Sequence, residues 1–287
     1  MSLHSQPIAG SDRAPVTLRT IRQMAKAGEP FASVACYDAT TARWVERGGV
    51  HVIIVGDSAA QLVLGYDSTI HMPLDVAIAL TAGVKRGAPT TLVMADMPFM
   101  SYHASEDDAV RNAGRFMTEG LADIVKLEVD ASWASLVTRL ARAGIPVCAH
   151  IGLKPQQAAL VGGYSAAGRT PAEAEQVVRD AVALEKAGAV MLLLEAAPEV
   201  VAERVMAETS VPLIGIGAGP ACHGQVLVLA DLLGLSDNPP RFAPPLAAMG
   251  SDIQRVSEEW VARVARREVT DHRYAMKLGD PPARTKS

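Results

Sequence analysis

The sequence has few aromatic residues, and its charges nearly balance. Aromatic side chains make up only 4% of the 287 residues, so a core must be built from Val, Leu, Ile and Ala. The 27 basic and 31 acidic residues give a formal net charge of −4. This slight excess of acid removes any broad electrostatic reason to bind nucleic acid or an anionic membrane surface. We therefore expect small molecules as partners, with no nucleic acid and no membrane.

Cysteines and long apolar runs are also scarce. Cys36, Cys148 and Cys222 are widely spaced and form no CxxC or His-rich metal motif, which is typical of reduced thiols in a cytoplasmic protein. No apolar run approaches the roughly 18–20 residues that span a bilayer. The first residues, MSLHSQPIAGSDRAP, lack the cationic and apolar regions of a secretory signal. These absences predict a cytoplasmic protein.

The sequence does contain a repeated pattern of a helical stretch, a glycine and a short apolar run. At 49% hydrophobic and 20% charged residues, the chain can bury a sizeable core. Glycine just past a helix lets the chain turn back, and apolar runs without polar alternation are typical of strands buried on both faces of a parallel sheet. Eight such runs occur, at residues 31–38, 51–57, 90–96, 123–128, 146–152, 190–196, 211–217 and 225–231.

Eight strands separated mostly by helical patterns predict an α/β fold, a single closed (βα)8 barrel of the TIM type. The alternative is an open doubly wound sheet, which normally carries a Gly-rich nucleotide turn after its first strand. Here the first run ends in CYDAT, without that turn, so the barrel is favoured. We expect a flexible tail over residues 1–16, the catalytic barrel over 17–250, and a C-terminal helix and tail over 251–287.

A proline-rich segment separates the barrel from the end of the chain. SDNPPRFAPPL, residues 236–246, can form neither a helix nor an interior strand. The stretch after it has apolar residues at helical spacing, which predicts a helix with one apolar face. That face either docks on its own barrel or forms a subunit contact. Its residues are Ile253, Val256, Trp260, Val261 and Val264.

Charged residues are rare within the eight runs, yet several runs close on an ionisable residue. The C-terminal ends of barrel strands meet at one mouth, where active sites are built. For any single carboxylate, a helix N-cap or a loop hydrogen bond is the alternative interpretation. Several carboxylates at one rim would repel each other unless a hard divalent cation with oxygen ligands offset them. The residues at or beside these ends are Asp38, Asp57, Asp96, Glu128, His150 and Glu195.

Lys126 and Glu195 carry chemical expectations of their own. Lys126 lies two residues before Glu128, so strand alternation points both side chains into the barrel. A buried lysine needs an anion, either a neighbouring carboxylate in a structural ion pair or the carboxylate of a substrate, and we favour the substrate. Glu195 ends the most apolar run, VMLLLE, which suits a general acid or base. The alternative is a carboxylate held by a backbone N–H of the following turn.

Two glycine-rich segments follow predicted strands. GIGAG, residues 215–219, closes the seventh run, where barrels often bind anions through backbone N–H groups, although glycine there also permits close packing. GGYSAAGR, residues 162–169, lies in the long interval between His150 and Glu195. It predicts either a mobile flap over the mouth or a flexible insertion without a role.

Seven segments resemble, in order and spacing, those of the 3-methyl-2-oxobutanoate hydroxymethyltransferase family, which forms ketopantoate for pantothenate synthesis. The resemblance covers residues 17–235. It implies a (βα)8 barrel of the phosphoenolpyruvate mutase and isocitrate lyase-like group, and a cytoplasmic homo-oligomer, an octamer or a decamer. The segments are VGDSAAQLVLGYDST, MADMPFMSY, VKLE, PVCAHIGLKPQ, GGYSAAGR, LLLEAAP and PLIGIGAG.

Carried over position by position, the resemblance implies a role for each matched residue. Asp57, Asp96 and Glu128 would bind Mg²⁺, directly or through water, and Glu195 matches the proton acceptor. Loss of the C3 proton of the 2-oxo acid would give a Mg²⁺-stabilised enolate, which attacks the methylene of the co-substrate 5,10-methylenetetrahydrofolate. The residues expected to contact the 2-oxo acid are Asp57, Ser58, Asp96, Lys126 and, from its place at a strand end, His150.

The sequence departs from the family's usual residues at Leu80, Val129, Ser165, His223 and Ala230, where the family has His, Gly, Lys, Asp and His. These departures keep open a Mg²⁺-dependent C–C lyase or hydrolase, or a paralogous aldol-type transferase, acting on another 2-oxo acid. Such lyases commonly carry a Cys in a flap loop, which GGYSAAGR lacks. A non-catalytic oxo-acid-binding protein is a third hypothesis, and the intact Glu195 argues against it because binding needs no base.

Overall fold

The computed structural model describes residues 13–274 of the chain. Its centre is a closed barrel of eight parallel strands, in which each strand pairs with the next and the eighth pairs with the first. The predicted (βα)8 barrel is therefore confirmed. The strands are β1 (Phe31–Ala35), β2 (Val52–Val55), β3 (Leu92–Asp96), β4 (Ile124–Glu128), β5 (Val147–Gly152), β6 (Met191–Glu195), β7 (Leu213–Ile216) and β8 (Gly224–Val228).

Helices surround the barrel and pack their apolar faces against the outward-facing strand residues. The connection from β7 to β8 differs from the expected alternation, because residues 217–223 join the two strands without a helix. The α-helices of the described chain are α1 (Leu18–Ala27), α2 (Ala39–Arg47), α3 (Ala59–Leu62), α4 (Leu74–Gly87), α5 (Glu106–Thr118), α6 (Ala134–Arg142), α7 (Ala158–Val161), α8 (Pro171–Lys186), α9 (Glu199–Glu208), α10 (Leu229–Leu232) and α11 (Met249–Arg266).

Several strands end earlier than their apolar runs predicted. β1 ends at Ala35 and β2 at Val55, before the acidic residues that close each run. The first of these acids, Asp38, is the N-cap of α2, and its Oδ1 accepts hydrogen bonds from the backbone N–H groups of Thr40 (2.8 Å) and Thr41 (2.9 Å). Asp38 therefore starts a helix, which was the alternative for a single carboxylate.

The interior of the barrel is filled with apolar side chains and is closed at the N-terminal ends of the strands by α1. Ile21 of α1 is fully buried in the same cluster as Phe31 and Met94, which point into the barrel. Just before α1, the Val16 N–H donates to the Thr90 carbonyl at 2.7 Å. Of the predicted tail, residues 1–12 lie outside the described residues, whereas residues 13–16 contact the barrel.

The C-terminal helix α11 is not docked on its own barrel. None of its residues is buried, and Ile253 and Trp260 on its apolar face are 54% and 52% exposed. Docking on the same chain, one of the two alternatives for this face, is therefore not observed. The end of the predicted C-terminal tail, residues 275–287, lies outside the described residues. No helix between residues 13 and 274 is long and apolar enough to cross a membrane.

Candidate active site

All seven residues chosen from the sequence line a single cavity at the C-terminal ends of the strands. The cavity has a volume of about 1000 Å³, and its rim also carries side chains from the loops after β2, β5 and β8. Residues far apart in the chain are thus neighbours in space, as the barrel topology predicts. The seven are Asp57, Ser58, Asp96, Lys126, Glu128, His150 and Glu195.

A glycine lets the loop after β2 approach the Asp96 carboxylate. Asp57 follows β2 and Asp96 ends β3, and the Asp57 N–H donates to Asp96 Oδ2 at 3.3 Å. A Cβ on Gly56 would lie 2.8 Å from Ser58 Oγ and 3.4 Å from Asp96 Oδ2, so a larger residue would push this loop away from the carboxylate. The Ser58 hydroxyl is held in turn by the Tyr37 hydroxyl at 2.8 Å.

Lys126 brings a positive charge among these acids. Its Nζ lies 3.1 Å from Asp96 Oδ2 and 3.1 Å from His150 Nδ1. Burial lowers the pKa of the ammonium, but the charges of Asp96, Glu128 and Asp57 outweigh burial and hold the pKa above its usual value. Lys126 is therefore charged and paired with Asp96 while it still lines the cavity, so it has a structural ion pair and remains available to an anionic substrate.

His150 connects Lys126 to Glu195. Because an ammonium can only donate, His150 Nδ1 accepts from Lys126, which places the ring proton on Nε2. Burial, and then the Lys126 charge, lowers the pKa of His150 and favours this neutral ring. His150 Nε2 lies 3.3 Å from Glu195 Oε2, yet at an angle that does not complete a hydrogen bond within the described chain. The ring N–H therefore faces the Glu195 carboxylate, and both line the cavity.

Gln156 is a residue that the sequence did not single out, although it ends the quoted segment PVCAHIGLKPQ. Its side-chain amide donates to Asp57 Oδ2 at 2.8 Å and to the Met97 carbonyl at 3.1 Å, and its Oε1 accepts from the Tyr102 hydroxyl at 2.8 Å. Its backbone N–H donates to Glu128 Oε2 at 2.9 Å. One buried residue thus orients carboxylates from two strands. The only signal in the sequence is a polar residue shortly after a strand end.

The acidic side of the cavity carries Asp57, Asp96 and Glu128, the three carboxylates expected to bind Mg²⁺ directly or through water. Across residues 13–274, no group of three His, Cys, Asp or Glu side chains is arranged as a metal site, so this ligand set stays a prediction. Asp96 Oδ1 is buried and has no hydrogen-bond partner in this part of the chain. Burial, and then the Asp96 charge, raises the pKa of Asp57 to about 7, which reflects a repulsion that a cation would relieve. Mg²⁺ often uses one or two carboxylates and keeps several waters, so the pair of Asp57 and Asp96 fits it and Glu128 would act through water.

The two glycine-rich segments have different structural roles. In GIGAG, Gly217 has a positive φ of 59°, and a Cβ there would lie 2.8 Å from the ring of Phe242, so close packing accounts for this glycine. In residues 162–169, Tyr164 lines the cavity, and the Ala167 N–H donates to the Ala196 carbonyl at 2.9 Å. This segment therefore lies beside the mouth and is tied to the end of β6. Its motion as a flap stays a prediction.

The five departures from the family's usual residues lie outside the lining of the cavity. Val129 is packed in the core around the barrel, and Leu80 packs against the same core from α4. His223 precedes β8 at the opposite end of the barrel, where its Nδ1 accepts from the Leu213 N–H at 3.1 Å. The five substitutions therefore do not alter the side chains that are expected to contact the 2-oxo acid. The five positions are Leu80, Val129, Ser165, His223 and Ala230.

Solved structures with a similar fold belong to the phosphoenolpyruvate mutase and isocitrate lyase superfamily. A phosphonopyruvate hydrolase, crystallised with oxalate and Mg²⁺, superposes with a TM-score of 0.60 at 14% identity, over 88% of each chain. A 2,3-dimethylmalate lyase superposes with a TM-score of 0.58 at 17% identity, over 92% of this chain and 91% of the lyase. Identities this low establish the fold alone, which is the predicted (βα)8 barrel.

Sequence similarity extends over nearly the whole chain. Residues 15–271 match the family described as ketopantoate hydroxymethyltransferase. The 3-methyl-2-oxobutanoate hydroxymethyltransferase of Halorhodospira halophila is 45% identical over 249 residues, 87% of this chain and 90% of that enzyme. The enzyme of the same name from Hyperthermus butylicus is 46% identical over 252 residues, 88% of this chain and 87% of that enzyme. The resemblance inferred from the motifs is confirmed, and the chain belongs to the ketopantoate hydroxymethyltransferase family of transferases.

Proposed function

We propose that the chain transfers a hydroxymethyl group from 5,10-methylenetetrahydrofolate to 3-methyl-2-oxobutanoate and so forms 2-dehydropantoate for pantothenate synthesis. The observation that carries this proposal is the meeting of two pairs, Lys126 with Asp96 and His150 with Glu195, in one cavity of a chain related to enzymes of that activity. The Lys126 ammonium can attract the carboxylate of a bound 2-oxo acid, and the Glu195 carboxylate can remove the C3 proton of that acid.

The side chains of the cavity divide this work. Lys126 attracts the carboxylate of the 2-oxo acid, and Asp57 and Asp96 are the residues that would hold Mg²⁺. When bound, the ion supplies Lewis-acid polarisation of the oxo group. Glu195 accepts the C3 proton, and its Oε2 lies 3.3 Å from Nε2 of the neutral His150 ring.

The folate donor supplies the carbon that is transferred. The C3 carbon that has lost its proton bonds to the methylene of the donor, tetrahydrofolate leaves, and one water supplies the hydroxyl oxygen. A volume of about 1000 Å³ is at the upper end for small-molecule sites, which leaves room for a donor much larger than a five-carbon acid. The alternative, a C–C lyase or hydrolase acting on another 2-oxo acid, has less support, because the lyase neighbours share only the fold.

One experiment tests the proposal in two steps. In D₂O with Mg²⁺ and 3-methyl-2-oxobutanoate, we expect the protein to exchange the C3 proton for deuterium, as followed by proton NMR. Addition of 5,10-methylenetetrahydrofolate should then give 2-dehydropantoate. Exchange without product would remove the folate donor from the proposal. Binding of the 2-oxo acid without any exchange would overturn the proposed reaction and leave a binding protein.

We also propose that the chain forms a homo-oligomer through α11, with the octamer or decamer of the family as the expected size. The helix carries an apolar stripe that its own barrel does not cover, and a second copy of the chain would bury it. Large exposed apolar patches of this kind are typical of subunit contacts. The stripe includes Ile253, Val256, Trp260 and Val264.

Val256→Glu is expected to break or shrink this assembly, since it places a charge within the apolar stripe. Arg255→Glu, on the opposite face of α11, introduces the same residue and should leave the assembly intact. Light scattering after size exclusion would compare each mass with the 30.2 kDa of one chain. A wild-type mass of one chain, or an unchanged oligomer in Val256→Glu, would contradict the proposed contact.

A further inference from the structure

Asp231 is a buried carboxylate that the reaction described above leaves without a role. It follows β8 in α10, lines the same cavity, and is 8% exposed. Residues 13–274 contain six buried carboxylates, and the other five each have a hydrogen-bond or ionic partner. Within that range the Asp231 side chain has none. A carboxylate that opens into a cavity and has no partner among these residues is placed to bind a ligand.

A second unpartnered group lies on the same loop. Ser236, five residues after Asp231, lines the cavity, and its Oγ is buried without a hydrogen-bond partner in the described chain. Two polar groups on one side of the cavity thus lack partners, and neither is close in sequence to the reaction centre. Since the strands follow chain order around the barrel, β8 lies opposite β4, which carries Lys126 and Glu128. The cavity therefore has a second polar subsite across from the first.

The walls of this second subsite are apolar and flat. Phe242 lines the cavity and is held against Gly217, where even a Cβ would come within 2.8 Å of its ring. Leu235, next to Ser236 in the chain, also lines the cavity and is more than a third exposed. Exposed aromatic and apolar faces around a cavity are typical of sites for planar rings.

A carboxylate between such walls selects a ring that carries two neighbouring N–H donors. Among the described residues that line the cavity, Lys126 is the one lysine or arginine, and it is paired with Asp96, so the ligand itself must supply the donors. The 2-amino-4-oxopyrimidine edge of a pterin presents a ring N–H and an exocyclic amino group side by side. Both can donate to one carboxylate, in the way that a guanidinium does.

We propose that Asp231 binds the 2-amino-4-oxo edge of the pterin ring of the one-carbon donor, with Ser236 as an additional hydrogen-bonding group and Phe242 against the ring face. This inference rests on the proposed function, because it assigns the place of the folate donor in that reaction. The donor then lies on the β8 side of the cavity, and the 2-oxo acid lies on the side of Lys126 and Glu195.

Asp231→Asn tests this assignment, with Asp38→Asn as its matched control. Asp38 caps α2 after β1, the strand that pairs with β8, and does not line the cavity, so its variant removes the same charge outside the cavity. Asparagine caps helices equally well, so the fold is kept. We expect Asp231→Asn to raise the KM for 5,10-methylenetetrahydrofolate about 10–100-fold, since a hydrogen-bonded charge is lost. The C3 proton exchange without folate should be largely retained, and Asp38→Asn should change neither measurement by more than about twofold.

Two further probes separate a contact with the donor from a structural effect. Formaldehyde can replace the donor, because the enolate carbon bonds to its carbonyl carbon and the new alkoxide takes a proton. Asp231→Asn should retain most of the formaldehyde-dependent reaction. A 2-desamino analogue of tetrahydrofolate should bind the wild type about 10–100-fold more weakly than tetrahydrofolate, and the variant should not discriminate between them.

The outcomes distinguish this inference from the proposed function. If the wild type shows exchange but no transfer from the folate, the proposed donor is wrong and this assignment falls with it. If the wild type transfers normally and Asp231→Asn keeps the same KM, the assignment is overturned while the proposed function stands. Equal loss of the formaldehyde reaction and of C3 exchange in Asp231→Asn would show a structural role and would also overturn it.

Discussion

Glu195→Gln is expected to slow exchange of the C3 proton of 3-methyl-2-oxobutanoate by about 10²–10⁴-fold, the usual contribution of a general base. Glutamine has nearly the same shape as glutamate, but its neutral amide is not basic enough to accept the C3 proton. Binding of Mg²⁺ should be retained, since the Asp57 and Asp96 carboxylates are untouched. Proton NMR in D₂O measures the exchange, and calorimetry measures Mg²⁺ binding.

The control for this substitution is Glu199→Gln. Glu199 lies four residues further on, at the start of α9, is exposed, and does not line the cavity. Its variant should exchange the C3 proton at the wild-type rate. Normal exchange in Glu195→Gln would remove Glu195 from the role of base. Loss of Mg²⁺ binding together with exchange would instead place this carboxylate in the metal site.

Asp96→Asn is expected to weaken Mg²⁺ binding by about 100-fold or more, and to remove the Mg²⁺ dependence of C3 exchange. Even groups that only orient a metal ligand typically change affinity 10–100-fold, and Asp96 is proposed as a ligand itself. Its unpartnered Oδ1 is the atom that we expect to face the ion. Titration of Mg²⁺ by calorimetry gives the affinity, independently of activity.

This substitution also removes the anion beside Lys126, so the folded state must be checked. Breaking a buried ion pair typically costs about 3–5 kcal/mol, which thermal unfolding would reveal as a lower Tm. Asp57→Asn removes the other carboxylate without touching that ion pair, and it should weaken Mg²⁺ binding as well. Asp38→Asn, at the N-cap of α2, is the matched control, because asparagine caps helices equally well. An unchanged Mg²⁺ titration in a folded Asp96→Asn variant would refute the ligand role.

The sequence was sufficient to predict the barrel and the residues at its mouth for a physical reason. A short apolar run between helical patterns is typical of a strand buried on both faces, and the ionisable residue that closes it marks the end at which a site can form. Lys126 and Glu128 were predicted on one side of β4 by alternation alone, and both line the cavity. His150 was expected to contact substrate, and the structure adds that it lies between Lys126 and Glu195.

Other features could not be predicted because they depend on one or two residues at the strand ends. Asp38 and Asp231 both close an apolar run, yet Asp38 caps a helix outside the cavity, while Asp231 lies in α10 and lines it. Gln156 belongs to a short turn after β5, where no periodicity marks its side chain. The absence of a helix between β7 and β8 could not be predicted, because the segment 217–223 is too short to show whether it has a helical period.

The closure of the barrel by α1 has a kinetic consequence. With apolar side chains filling the barrel above α1, the described chain offers substrates no route through the far end, so both must enter at the mouth. The charged groups that would bind the small acid lie on the strand ends, whereas the surfaces suited to the large donor lie on the loops above them. For the proposed reaction we therefore expect an ordered sequence, in which the acid binds first and its product leaves last. Product inhibition by 2-dehydropantoate should accordingly be competitive with the acid and not with the folate.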